Sequence, residues 1–448
     1  MTPLTPDSPV HRLAAAIETT ELSVRALVET ALDRIASRDA TLNAFTLVLH
    51  ESARQAADGA DVDIKAGRYR GPLHGIPISI KDLIDVAGVP TTAASHVTGR
   101  SPARADAPVV ARLRDAGAIL IGKCNLHEFA FGTTGEDSAF GPTRHPLDVT
   151  RSPGGSSSGS TVSVADGMVS ASVGTDTGGS IRIPAAACGL VGLKPTFGEL
   201  PCDGIVPLAP SLDHVGPLTR CVADAQLMFA AMRGRTSVPE AKGMTRRLGC
   251  PRPYFLDTLD TEVRVVFEQA LERLRAAAWT VGASPIRHAR HAATVCLHLV
   301  LSEAAAVHAA SLDRQGDSYS AGVRLRLELG RYVLAEDYAR AQRGRTVLTA
   351  AVDDALADQD ALVLPSLAIP ASPLGADTVD IDGRPVSLRN VMLRLTQLFN
   401  ATGHPAVSIP CGHTATGLPI GLQLVGRRGQ TDQLLTVAAA CETALTGA

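Results

Sequence analysis

Apolar positions fall on one helical face between Leu13 and Arg38, where Leu22, Val24, Leu27, Val28, Ala31, Leu32 and Ile35 recur mostly three or four residues apart. That period predicts a helix, with Ser23 placed to cap its second half. The period then shortens. Asn43–Leu49 reads as a strand, His50–Gly67 as helix, and Gly71–Asp82 as a turn running into a short apolar strand. The same switching continues. Helices are expected at Asp106–Ala116, capped by Asp106 with Pro108 behind it, at Asn125–Phe129, at Ser157–Gly167, and at Ser180–Ala187. Strands are expected between them at Ala118–Gly122, Val169–Gly174 and Leu190–Lys194.

Gly132–Arg151 reads as loop and 195–220 as an irregular, Pro- and Gly-rich crossing segment. Cys221–Met232 is helical, and a polar linker follows at Arg235–Gly243. Helical periodicity then dominates at Glu262–Ala276, His291–Leu312, Ala321–Tyr332, Glu336–Ala357 and Val386–Phe399. Ala361–Leu364, Val407–Ile409 and Ile420–Val425 read as strands, and Asp432–Leu445 as a closing helix. Strands alternating with helices predict an α/β fold with a mixed, mostly parallel central β-sheet sandwiched by helices. The late strands are expected to join the early sheet, giving one domain over 1–448. Its core is 71–220, its helical region 235–400, and its closing strands and helix 403–448.

Composition narrows the function. At 448 residues and 45% hydrophobic, the chain has enough apolar surface for a large core. A net charge of −3 gives no electrostatic case for nucleic acid or an anionic membrane as partner. No run of 18 apolar residues suggests a membrane span, and MTPLTPDSPVHRL has no basic-then-apolar signal pattern, so a cytoplasmic chain is expected. The eight cysteines include no C-x-x-C pair and read as reduced, buried thiols. The histidines show neither H-x-x-x-H nor H-E-x-x-H spacing, so neither a metal nor a cofactor is expected. Lysine is scarce: only Lys65, Lys81, Lys123, Lys194 and Lys242 can serve where an amine is needed.

Two Gly/Ser-rich turns, Gly154–Ser160 and Gly174–Ser180, flank a run of small residues. Ser180 follows two glycines and opens an expected helix, so its N–H and those of Thr177, Gly178 and Gly179 face one point suited to negative charge. The plainer reading of Ser180 is a helix cap. A free serine hydroxyl is a weak nucleophile and needs a base. Lys81 ends the apolar strand IPISIK on the face of Ser79, with Asp82 on the opposite face. Burial there lowers a lysine pKa, whereas the plainer reading is a strand-end lysine reaching water. GSSSG at Gly155–Gly159 matches G-x-S-x-G, but a loop precedes it where that motif needs a strand. S-x-x-K and phosphate-loop motifs are absent, and a generic anion nest remains open.

Taken together, GPLHGIPISIKD (71–82), GAILIGKCNLHEFAFG (117–132), SPGGSSSGS (152–160), GTDTGGSIRIPA (174–185) and GLVGLKPTFG (189–198) resemble the amidase signature family. GHPAVSIPCG (403–412) and GLPIGLQLVG (417–426) extend the resemblance to most of the chain. It implies a triad of Ser180 as nucleophile, Ser156 as bridging serine across a cis Gly155–Ser156 peptide, and Lys81 as base. It further implies an oxyanion hole of the Thr177, Gly178, Gly179 and Ser180 N–H groups. Ser157, Asp176 and Arg182 match supporting positions, and Ala130 a substrate-facing one. Ser158 stands where many members have glycine.

The implied activity is hydrolysis of small linear amides, anilides or carbamates, by a monomer or homodimer. The alternative is the glutaminase component of a tRNA-dependent amidotransferase, although the tyrosine-rich basic segment of such proteins is not evident and only five tyrosines occur. A non-catalytic scaffold is disfavoured because all three triad residues are present. An esterase acting through Ser157 is distinguished by surviving loss of Ser180. The small residues Ala130, Gly132, Thr133, Gly135 and Gly141 suggest an open acyl pocket.

Overall fold

The computed structural model describes residues 4–239 and 243–447, so the end of the expected linker at 235–243 lies partly outside the described residues. The chain forms strands β1 (Phe45–Val48), β2 (Pro77–Lys81), β3 (Ile119–Cys124), β4 (Ala171–Thr175), β5 (Val191–Lys194), β6 (Val215–Thr219), β7 (Arg247–Cys250), β8 (Thr280–Ala283), β9 (Ala361–Pro365), β10 (Thr378–Ile381), β11 (Arg384–Ser387), β12 (Ala406–His413) and β13 (Pro419–Val425). Eleven of them make one sheet in the order β1-β3-β2-β4-β6-β5-β12-β13-β9-β7-β8, and β10 and β11 form a separate hairpin. Helices flank the sheet, so the mixed α/β architecture is as expected. The late strands do join the early sheet, through β12 on β5.

The balance of directions needs correcting. Among the described residues, only β2–β3, β2–β4, β7–β8 and β7–β9 pair parallel. The other ladders, including every one from β4–β6 across to β13–β9, are antiparallel. The apolar strands β2 to β5 are buried on both faces, as strands covered by helices must be.

Several elements differ from the sequence reading. Leu13–Arg38 is two helices, Val10–Glu18 and Val24–Leu42, broken at Thr20 (φ 60°); Ser23 caps the second by accepting from the Ala26 N–H. Asp106 does not cap its helix, which spans Pro108–Asp115; its carboxylate takes the Ala87 N–H and pairs with Arg114. Asn125–Phe129 is no α-helix: a single 3₁₀ turn at Glu128–Ala130 carries Phe129 and Ala130 at φ 50° and 58°. The crossing segment 195–220 contains β6. Val386–Phe399 divides into the end of β11 and the short helices Leu388–Leu393 and Gln397–Ala401.

Among the described residues, one helix, Ala292–Gln315 with its flanking turns, is long and apolar enough to cross a membrane, its most apolar 18-residue stretch having a mean hydropathy of 1.5. Here it is a wall helix. It packs on the helices Ala321–Gly330 and Ala335–Leu356 and carries Cys296 and Val300 to a cleft. A small apolar cluster beside that cleft, including Leu126, Phe129, Phe131, Ala304 and Tyr319, stands apart from the main core.

Candidate active site

β2 and β4 run parallel side by side, so Lys81 and Thr175 arrive together at their carboxyl ends. Ligand sites in open α/β sheets gather at such ends because the strands deliver their following loops to one edge. The helix Ser158–Ala165 packs over this edge and every residue from Ser158 to Val164 is buried. Its small side chains permit that closeness. A Cβ at Gly159 would meet the Asn125 carbonyl oxygen at 2.6 Å and the Ala44 carbonyl oxygen closer still.

Lys81 is fully buried, and its Nζ contacts Ser156 Oγ at 2.8 Å, Ser157 Oγ at 3.0 Å and Thr175 Oγ1 at 2.7 Å. Burial pulls the amine down to about 7, against the opposing charges of Asp176 and Asp213. A large fraction is therefore neutral at neutral pH. A neutral amine donates twice and accepts once. Ser157 Oγ already donates to the Thr175 carbonyl at 3.1 Å, so it accepts from Lys81. Ser156 Oγ has Lys81 as its only hydrogen-bond partner among the described residues, so its proton is free to lie toward Nζ. The Gly155–Ser156 peptide is cis. Asp82 points away, pairing with Lys123 at 3.0 Å, and the Lys194 Nζ is occupied by the carbonyls of Pro195 and His404. Of the buried lysines, only Lys81 meets serine hydroxyls among the described residues.

Ser180 sits across from Ser156 in the second Gly/Ser turn, and the two turns are joined where the Ser157 N–H donates to the Ser180 carbonyl at 3.2 Å. No direct hydrogen bond links Ser156 Oγ with Ser180 Oγ among the described residues. Ser180 does not open the helix, which begins at Arg182. The N–H groups of Thr177, Gly178, Gly179 and Ser180 belong to a turn, and no acceptor takes them among the described residues. Gly179, at φ 143°, has the backbone geometry only glycine accepts readily.

That turn is pinned from every other side. Asp176 and Arg182, both fully buried, form a paired contact at 2.9 and 3.0 Å, and Asp176 also takes the Ile181 N–H. Burial works against the Asp176 carboxylate, yet the Arg182 guanidinium and the Asn400 amide hold it well below the usual carboxylate range. Arg182 reaches on to Thr396, Asn400 and Gln423. Thr396 Oγ1 donates to the Gly178 carbonyl at 2.6 Å, and Thr177 Oγ1 to Asp213 at 2.6 Å. Burial raises Asp213 to about 6.

Sequence reasoning does not single out Thr175, Asp213, Thr396, Asn400 or Gln423. Thr175 sits beside Asp176 in GTDTGGS and is within its reach; the C-terminal residues carry no local signal. Ser157 caps the helix Ser158–Ala165 by position, and Ser158 Oγ donates to Thr143.

A narrow cleft, partly open to solvent, lies over Ser180. Ala130 lines it as expected, with Phe131, Gly132, Thr133, Leu208 and Val300. The wall expected to be small and open is so only in part, since Leu212, Leu393 and the Phe131 ring close it. Arg389 and Gln397 supply its polar groups beside the turn. Behind the wall, Glu128 takes the Ser95 hydroxyl and the Ser320 N–H, and His127 lies 3.3 Å from Asp137.

The Amidase family model matches residues 26–435. An amidase of Pseudomonas putida is 38% identical, covering 91% of this chain and 90% of that one. The glutamyl-tRNA(Gln) amidotransferase A-subunit of Geobacter metallireducens is 35% identical over 98% of this chain and 97% of its own length. Among solved structures, one described as a crystal structure of amidase superposes with a TM-score of 0.93 at 37% identity, covering 98% of this chain and all of that one.

Proposed function

The chain belongs to the amidase family, and from that premise we propose that it hydrolyses the C–N bond of small linear amides, anilides or carbamates through an acyl-enzyme on Ser180. The observation that carries this reading is the buried Lys81 amine 2.8 Å from Ser156 Oγ, with its pKa lowered to about 7.

Neutral Lys81 takes the Ser156 proton as Ser156 takes that of Ser180, and Ser180 Oγ attacks the carbonyl carbon. The unpartnered N–H groups of Thr177, Gly178, Gly179 and Ser180 receive the oxyanion; losing one such donor costs about 2.7–4 kcal/mol in comparable sites. The relay then runs backward. Ser156 protonates the leaving nitrogen and regains a proton from Lys81, the C–N bond breaks, and Lys81 ends neutral. Water enters, gives its proton to the same relay, and releases the acid from Ser180. Ser157, by accepting from Lys81, fixes the amine so that its lone pair faces Ser156. Asp176 and Arg182 act on the turn, not on substrate. Ala130 shapes the cleft where the acyl group sits.

The eight free thiols fit a reducing, cytoplasmic setting. The mechanism as written requires no cofactor and no partner subunit; a monomer or homodimer suffices. A second reading, the glutaminase component of an amidotransferase, is favoured by the likeness to such proteins. A substrate panel of aryl amides, phenyl carbamates and glutamine, followed by mass spectrometry of the trapped acyl-enzyme, tests both. Acylation of Ser180 by the purified chain alone with simple amides is expected. Turnover restricted to glutamine, and seen only with added subunits, sinks the first reading; acyl mass on another residue sinks the mechanism.

A further inference from the structure

The cleft over Ser180 is walled by apolar and small neutral side chains, and Arg389 is the single charged residue lining it among the described residues. Arg389 stands half-buried on the short helix Leu388–Leu393. Its neighbour Arg326 has an acid to answer, Asp137 at 3.8 Å, and lies 3.5 Å from His127. Arg389 has none: among the described residues no carboxylate lies within ion-pair distance of its guanidinium, and no acceptor takes any of its N–H groups. Its one partner is the Phe131 ring, whose centroid lies 5.6 Å from the guanidinium carbon, with Arg326 over the same ring at 5.3 Å.

A cation over an aromatic ring uses only the guanidinium face. The edge, with its planar fork of donors, takes no protein acceptor among the described residues and stays open to solvent and to a ligand in the cleft. Burial, then Arg326, lowers Arg389 to about 10, which leaves it charged at neutral pH. Tertiary packing has thus left, among the described residues, one cation without an acid in the cleft that Ser180 also lines. The group that matches such a fork is a carboxylate, taken by two parallel N–H···O bonds.

We propose that Arg389 binds a carboxylate carried by the substrate, so that the preferred substrates are short anionic amides such as the monoamides of small dicarboxylic acids. The proposal rests on the hydrolase reading of Ser180 and adds its substrate class. It also separates the substrate from glutamine. Among the described residues no acidic side chain lines the cleft to receive an α-ammonium group, so a simple anion fits where a zwitterion leaves its positive end unmatched beside a second cation.

The test uses pairs that differ only in charge: succinamate against succinamide and glutaramate against glutaramide, with glutamine as a third probe. For the wild-type chain, kcat/KM for the anion exceeds that for its neutral isostere by about tenfold or more, carried by KM, and glutaramate exceeds glutamine. In Arg389→Met that ratio collapses by about tenfold, and Arg389→Lys recovers part of it, because a point charge replaces the fork. A wild-type ratio near one, or a ratio that Arg389→Met leaves standing, overturns the proposal.

Glutarate, which has no bond to cleave, provides the arm independent of chemistry. Calorimetric titration should show it binding wild type and binding Arg389→Met about tenfold more weakly. Equal binding, or none to wild type, overturns the Arg389 site. Glutarate bound through Arg389 by a chain that hydrolyses no amide overturns instead the hydrolase reading.

Discussion

Asn400 donates to Asp176 twice, to its carbonyl oxygen at 2.8 Å and to its Oδ1 at 2.7 Å, across 224 residues of sequence. Through Asp176 this amide holds the turn whose residues Thr177, Gly178 and Ser180 line the cleft. Asn400→Ala removes both bonds, and the one Arg182 donates to the Asn400 Oδ1, leaving buried polar groups short of partners, which costs about 1–3 kcal/mol. Arg182→Met is worse, about 3–5 kcal/mol, because it strands the Asp176 charge. Urea denaturation should rank wild type, Asn400→Ala and Arg182→Met in falling order of stability. The reverse ranking of the two variants would show that the pair is not what holds the turn.

Ser180→Ala and Lys81→Met each lower kcat by roughly 10⁴ or more, the scale on which members of a catalytic unit fail singly. Lys81→Met should keep the fold, since an unbranched apolar side chain suits a site whose burial already disfavours the charged amine. Thermal melting beside an amide-hydrolysis assay checks both: a folded Lys81→Met variant with near wild-type turnover removes the lysine from the mechanism.

The rate should rise with pH. Lys81 works as the neutral amine, and its pKa is lowered to about 7, so kcat/KM climbs through that pH and levels above it. Asp213 raises that pKa, and is itself ionised above about 6. Asp213→Asn therefore moves the rising limb to lower pH. A limb that stays put, or moves up, contradicts the assignment.

Stability carries the same signature. The Lys81 pKa is lower folded (about 7) than its ordinary 10.5, so between those values the unfolded chain binds more protons and the folded state gains stability as pH rises. Lys81→Met removes that gain. Denaturation midpoints of the two proteins, compared from about pH 7 to 10, should diverge in slope.

Gly179→Ala tests the turn directly. At φ 143°, a Cβ would meet Ile183 Cδ1 at 2.6 Å and press on Thr396 Oγ1. Displacing the 179 and 180 N–H groups should lower kcat by about 10²-fold or more, with a smaller effect on KM. A rise in KM alone, measured by steady-state kinetics, would mean that the turn binds substrate without stabilising the oxyanion.

The alternation of apolar periods is enough to place most helices and the central strands, because a helix or strand buried on one or both faces writes its period into the residues that make it. The turns holding Ser156 and Ser180 are legible for a related reason. Close backbone approach and positive φ demand glycine and small side chains locally, and Gly154–Ser160 and Gly174–Ser180 supply them. β7, β8, β10 and β11 escape such a reading: β8, β10 and β11 are mostly exposed and so carry no apolar pattern, and β7 (RLGC) holds too few apolar residues to show one. The predominance of antiparallel ladders is illegible as well, since strand direction follows from how the chain crosses over between strands.

Sequence by itself thus determined which residue types stand in the two turns and that Lys81 ends a strand. That the Lys81 amine touches both Ser156 and Ser157, which C-terminal residues grip Asp176, and that Arg389 reaches the cleft without an acid were decided only by packing, because each depends on groups that folding brings together from distant parts of the chain.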